Sequence, residues 1–397
     1  MILFQRYHYH QIDKFFHTDF WLFETSVWLH VFARSMIAIF IPIFLLQMGW
    51  SISHVMFFYF IYNIFDAPLN FFAKWLTYKI GAKKVIALGT LSYIASFAIL
   101  YNLDVGMSPL LILMALFAAL YDTFYWVAHI YFFIRCEKND RNISKGISLL
   151  YIVKKIAGIL APIFGGLILI FFDKQLLIGL SVLILLLSII PLFKIKTTKD
   201  RPDKKPKKFK QFFKKGDGLK EYIIKGLFSF HQAAEGIIWP IFIYTIFKTI
   251  ESVAIIPIIV AGTVIIITYF TSKIKKTNRS HIMALGAFLI SITWILRLVI
   301  DNNIFYYASI FLIGLFVVLV SLPLESNMYE KGEKKDALDT ATYQNFFSMF
   351  PRIFFYGTLY LLLEIFQVSF IAAIIGMLMI MAINYIFITK KFDKKPR

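Results

Sequence analysis

Charge is scarce in this chain. Asp, Glu, Lys and Arg make up 16% of 397 residues, against 59% hydrophobic. Few soluble domains are so apolar. There is a single cysteine, Cys136, so an intrachain disulfide is excluded, and no Cys/His spacing suggests a metal site. Glycine numbers only 19, which leaves few positions where helices can approach closely. No Walker-type glycine loop occurs, so ATP hydrolysis by the chain itself is not expected. No cleavable leader is read, because the first apolar run starts after Phe20 and is too long for a signal core. No cofactor and no metal ligand set is expected.

What is present is a succession of long apolar runs. A hydrocarbon core of roughly 30 Å needs about 20 apolar residues in helical form. Barrel strands would alternate at period two, and these runs are continuous, so an all-α integral membrane protein is expected. Twelve spans can be read. The first six are Trp21–Gln47, His54–Ala73, Lys84–Asn102, Ser108–Ile134, Ile147–Phe172 and Gln175–Phe193. The second six are Tyr222–Phe247, Ser252–Ser272, His281–Ile300, Ile304–Met328, Thr340–Leu363 and Gln367–Thr389.

The net charge of +19 does not point to nucleic acid, because the basic residues sit on alternate connections between apolar runs. Lys79, Lys83, Arg135, Arg141, Lys273, Arg279, Lys331 and Lys334 fall on one side. The other side holds little beyond Lys174 and Lys248. The basic side is read as the cytoplasm, with both termini there. The expected organisation is a cytoplasmic lead-in (1–20), a six-helix bundle (21–193), a basic linker (194–221), a second six-helix bundle (222–389) and a cytoplasmic tail (390–397). The linker reads as a solvated tether, with a surface-lying helix around Phe209–Lys215. The inner cell membrane is the expected location, and the protein is expected to be a monomer.

Faint internal symmetry accompanies this split. Lys79-Ile80 precedes Ala87-Leu88-Gly89, and Lys273-Ile274 precedes Ala284-Leu285-Gly286. Both join the second and third helices of a half, which suggests parallel repeats with a binding site between them.

Two short motifs resemble those of the major facilitator superfamily. The turn after the second span reads Lys74-Trp75-Leu76-Thr77-Tyr78-Lys79-Ile80-Gly81-Ala82-Lys83, similar to the family pattern G-x-L-A-D-R-x-G-R-[RK]. The leucine, the first basic residue, the second glycine and the last basic residue match. Lys74 replaces the first glycine and Tyr78 replaces the aspartate, so the gating network that this aspartate joins in the family is expected to be missing. The fifth span carries Gly158, Pro162, Gly165 and Gly166, like the family's glycine-proline motif, here read as a helix-packing face. Arg141 matches a common basic position before that span. The resemblance implies a transporter in which spans 1, 4, 7 and 10 line a central cavity. It also assigns gating roles to Lys79, Gly81, Lys83 and Arg141, with Asp66 beside them.

Charges at mid-bilayer are costly, about 2.5–3.5 kcal/mol on insertion scales. Three stand out: Arg34 in span 1, Asp122 in span 4 and Glu235 in span 7. They are expected to meet in the cavity, where Arg34 pairs with Asp122 or holds an anionic group. Asp122 or Glu235 would carry a coupling proton. No basic partner for Glu235 is legible in its own span. His231 lies four residues earlier on its helix face, and Trp239 follows just before Pro240. Tyr125 and Trp126 lie beside Asp122 and suit contact with an organic ligand. Lys154 and Lys155 in span 5, with Arg34, lean towards a substrate bearing carboxylate or phosphate. Arg352 lies near mid-depth without a legible partner.

The function that fits is secondary transport of a small organic solute by alternating access, coupled to protons. A membrane-embedded lipid-modifying enzyme would need a clustered catalytic set at one face, and the loops hold none. A non-transporting receptor or scaffold would have no use for mid-depth carboxylates.

Overall fold

A computed structural model describes residues 19–137, 143–196, 200–202, 205–213, 218–271, 279–334 and 336–392. Every regular element among them is helical. In chain order they are α1 (Asp19–Ala38), α2 (Ile41–Gln47), α3 (Ile52–Ile80), α4 (Ala82–Tyr101) and α5 (Ser108–Glu137). Next come α6 (Ile143–Phe171), α7 (Lys174–Lys194), the short α8 (Phe209–Phe212) and α9 (Leu219–Ala233). A π-helical turn, Ala234–Ile238, leads into α10 (Trp239–Phe247). The last five are α11 (Ile250–Thr271), α12 (Arg279–Val299), α13 (Asn303–Lys334), α14 (Ala337–Leu361) and α15 (Ile365–Phe392). Eight of the described helical stretches are long and apolar enough to cross a membrane, and Ile156–Phe171 and Ile250–Val260 are shorter apolar stretches.

Local sequence sets the ends and the breaks. Ser51, Asp173 and Asp336 cap α3, α7 and α14 by accepting backbone N–H groups of the first turn. The first expected span is interrupted between α1 and α2. Pro42 has no N–H to offer the carbonyl one turn back, and the chain turns at Ile39 and Phe40. Pro240 does the same to the seventh span. The backbone widens into the π turn immediately before it, so the span is bent rather than straight.

Within the first set of helices, α1 packs on α6 and α7, and α5 packs on α3 and α4. In the second set, α9 packs on α14 and α15, α12 on α13 and α15, and α11 on α13. The two sets meet where α3 and α5 lie along α14, and where α6 lies along α11. The glycine motif makes two of these approaches possible. A Cβ on Gly165 would strike the Met36 backbone of α1. One on Gly166 would sit 2.7 Å from Ala254 Cβ of α11. Gly158 is less tight, with Ser35 Oγ 3.9 Å from a Cβ built there, and Pro162 is buried within α6.

The basic connections form one end of the bundle, where the linker is not a free tether. Asp200 Oδ1 accepts the Lys83 N–H at 2.7 Å, and Asp200 O accepts that of Ala82 at 3.0 Å. Gly81, at φ +93°, makes the turn between α3 and α4, and a side chain there would run into the Asp200 carboxylate. Lys83 Nζ donates to Ile195 O at 3.0 Å. Further along, Phe212 and Phe213 pack edge-on against Tyr222 and lie against Tyr343. The expected surface helix is therefore the single turn of α8, docked on α9 and α14 by its aromatic rings.

Candidate functional site

Between the two sets of helices lies a cavity of about 510 Å3. α1 contributes Arg34; α5 contributes Asp122 and Trp126. α9 contributes Lys225 and Gln232, and α13 contributes Ser321 and Glu325. α14 adds Gln344, Asn345 and Arg352. A smaller compartment of about 140 Å3 adjoins it, bounded by Arg34, Asp122 and Arg352 with a ring of tyrosines: Tyr59, Tyr62, Tyr93, Tyr121 and Tyr356. Both sets of helices thus supply charge to one cavity.

The charges within it act on one another across the cavity, Asp122 on Arg34 and Arg352 and Glu325 on Lys225, without close contact. Arg34 and Asp122 share both compartments, yet no ion pair joins them. Among the described residues, neither Arg34 nor Arg352 has a carboxylate within 4.0 Å. Arg34 leans over the Trp126 ring, 5.8 Å from its centroid. Arg352 donates to Gln232 Oε1 at 3.2 Å, and its Nε is buried without a partner. The Arg34–Asp122 pairing expected from the sequence is present as an electrostatic interaction and not as a contact within 4.0 Å.

Asp122 belongs to a buried polar cluster that crosses from one set of helices to the other. Asn345 of α14 donates to Asn70 Oδ1 at 2.8 Å and to Asp122 Oδ2 at 3.4 Å. Asn70 in turn donates to Asp66 Oδ1 at 2.9 Å and to the Asp66 carbonyl at 2.8 Å. Asp66 is fully buried, and its carboxyl group is joined to that of Asp122 by a side-chain hydrogen bond and by charge. Asp66 was expected near the gate at Lys79. It lies more than three helical turns away from it, at the depth of Asp122, because α3 runs on as one helix to Ile80.

Glu235 is elsewhere. Its Oε2 is 2.5 Å from Arg297 Nη1 of α12, and the Arg297 side chain is fully buried. Arg297 also donates to Ser309 Oγ at 2.8 Å and stacks on the faces of Trp239 and Trp294, 3.5 and 4.5 Å from their centroids. His231 accepts from Trp294 Nε1 at 2.9 Å. Glu235, His231 and Trp239 therefore form one packed cluster against α12 and do not border the cavity. The partner absent from the sequence reading was Arg297, 62 residues on. The π turn also spoils the i, i+4 register assumed for His231 and Glu235. Glu235→Gln should leave a buried guanidinium uncompensated and cost about 3–5 kcal/mol. The expected result is a clear fall in the thermal unfolding midpoint of the detergent-solubilised protein, followed by tryptophan fluorescence. The paired change Glu235→Leu with Arg297→Met should recover much of it.

Tyr125 is 2% exposed and stacks on His30 at 3.7 Å and on His129 at 5.4 Å, so it supports α1 against α5 rather than facing the cavity. Trp126 does face it. Lys79 is exposed at the basic end. Arg141 lies outside the described residues, as do the side chains of Lys154 and Lys155. The substituted motif has not lost its contact with the second set of helices. Lys74 Nζ pairs with Asp339 Oδ1 of α14 at 2.5 Å and donates to Lys207 O at 2.7 Å. Charge still joins α3 to α14, with the cation on α3. Lys225, Glu325, Asn70 and Asn345 were missed from the sequence. The first two were visible as charges inside apolar runs, although they lie nearer the basic end than the three mid-depth residues.

A bundle of apolar helices in two sets, enclosing a charged cavity to which both contribute, defines a membrane transporter. The sequence model of the Major Facilitator Superfamily matches residues 25–350, and the chain belongs to that family. Among curated proteins, none matches it in sequence. Solved structures share its fold at low identity. A POT family transporter in complex with a thioalcohol-conjugated peptide aligns with TM-score 0.72 and 13% identity, over 94% of this chain and 96% of that one. The human organic anion transporter MFSD10 aligns with TM-score 0.69 and 10% identity, over 92% and 98%.

Proposed function

We propose that the protein is a proton-coupled secondary transporter that moves a small organic solute bearing a carboxylate or phosphate by alternating access. The observation that carries this reading is the placement of Arg34 and Arg352. They come from different sets of helices, border one cavity and, among the described residues, have no carboxylate within 4.0 Å. An anionic group between them would tie the two sets together. The adjacent Asp66–Asp122 cluster is the proton site in this reading, since a carboxyl pair in one site can take up and release a single proton. Counting α1 with α2, and α9 with α10, as bent single spans gives twelve in two six-helix bundles. Their basic end faces the cytoplasm, as for a monomer in the inner membrane.

The test has two stages. Purified protein is first heated with a panel of carboxylates, phosphates and neutral analogues. A ligand of the folded state at about 100 times its Kd adds about 2.7 kcal/mol of stability. Hits should be anionic. Flux of a hit into liposomes is then measured with and without an inward proton gradient. Hits confined to neutral or cationic compounds would overturn the substrate class, and gradient-independent flux would overturn the coupling.

A further inference from the structure

A second cavity of about 690 Å3 opens at the basic end, between α3, α14 and the linker. Its rim carries Lys79, Lys205, Lys207 and Lys208, all exposed. Among the described residues none of the four has a carboxylate partner. The fifth lysine, Lys74, is spent on Asp339 at the cavity floor. Aromatic rings share the lining: Phe71 and Trp75 are 41% and 51% exposed, and Phe209 is 45% exposed. Phe72 stacks on Trp75 and continues this surface along α3.

These two kinds of lining ask for different things. Four exposed ammonium groups concentrate negative charge. Exposed rings at the end of an apolar helix belong at the headgroup level of a bilayer, where Trp and Tyr collect. A free phosphate would satisfy the lysines and leave the rings in water. An acyl chain alone would do the reverse. We propose that this groove is a binding site for one anionic phospholipid of the cytoplasmic leaflet. Its phosphate lies among Lys79, Lys205 and Lys208, and its upper acyl segments lie against Phe71 and Trp75. The leaflet follows from the orientation proposed above; the groove and its chemistry do not depend on the transported solute. The site borders the contact that joins α3 to α14, because Lys74, Lys207 and Tyr343 line both. A lipid seated there therefore braces the contact between α3 and α14.

Native mass spectrometry of the full-length protein in detergent tests the site. Phosphatidylglycerol and phosphatidylcholine with identical chains are titrated separately. Phosphatidylglycerol adducts should appear at a concentration at least about tenfold lower, given the attraction of each basic residue to anionic lipid. The triple variant Lys79→Gln, Lys205→Gln, Lys208→Gln should bind both lipids alike. The comparison variant Lys390→Gln, Lys391→Gln, Lys394→Gln should keep the preference. Should the first triple variant not purify as folded protein, Lys79→Glu alone must shift the preference in the same direction. Equal binding of the two lipids by the unaltered protein would overturn the proposal. So would a preference that survives loss of the groove lysines, or displacement of phosphatidylglycerol by an equal concentration of glycerol phosphate.

Discussion

Asp122→Asn is expected to reduce proton-driven accumulation of substrate to the level of protein-free liposomes, while leaving exchange of preloaded substrate across the same membrane intact. The reason is geometric. Among the described residues, Asp122 is the one carboxylate that both borders the cavity and joins the Asn345–Asn70–Asp66 cluster. A proton arriving there changes the charge facing Arg34 and Arg352 and also changes the contact between α5 and α14. An amide keeps the shape and the hydrogen bond from Asn345 can be re-formed, but it cannot lose a proton. Substrate can still cross with the protein in its permanently neutral form, so exchange survives. Asp66→Asn should act in the same direction and more weakly, because Asp66 reaches the cavity only through its neighbours. Full gradient-driven uptake in the Asp122 variant would remove this cluster as the coupling site. Loss of exchange as well as uptake would show a substrate-binding or folding role instead.

How much of this was legible beforehand depended on whether the property is local. Long apolar runs and their basic connections are local, and the long helices from α3 onward follow them, apart from the break in the seventh span. Helix ends ran further than the apolar runs, as in α3 and α13, because lysines extend a helix past the bilayer without breaking it. The breaks at Pro42 and Pro240 were also written locally, but whether a proline bends a span or ends it depends on what packs beside it. Arg34 and Asp122 could be singled out because charge at mid-bilayer is costly whatever surrounds it. What surrounds it was not legible. Glu235 and Asp122 look alike in sequence, each a lone carboxylate within an apolar span. Only the fold places Arg297 and two tryptophans against the first, and Asn345 with Asp66 against the second. The same holds at the basic end. Losing the aspartate at position 78 suggested a lost gate, whereas Lys74, one turn earlier, reaches Asp339 from a side that a motif cannot express.

The second large effect concerns the arginines. Arg352→Gln should weaken binding of an anionic solute roughly ten- to a hundredfold, since a hydrogen bond to a charged group contributes about 1.5–3 kcal/mol. Arg34→Gln should do the same from the other set of helices. The pair is more informative than either alone. If one anionic group spans the cavity and touches both guanidinium groups, removing the second should cost less than removing the first, because the group will already have shifted towards the survivor. Independent sites would give additive losses. Arg→Lys at either position separates charge from shape: lysine retains the attraction but not the planar fork that grips a carboxylate or phosphate at two points. Isothermal titration with the best ligand from the thermal screen measures all of these. Unchanged affinity in both Gln variants would mean that the solute's charge is held elsewhere, with Lys225 the remaining described cation on the cavity wall. The arginines would then act only to hold the two sets of helices at a distance set by their mutual repulsion.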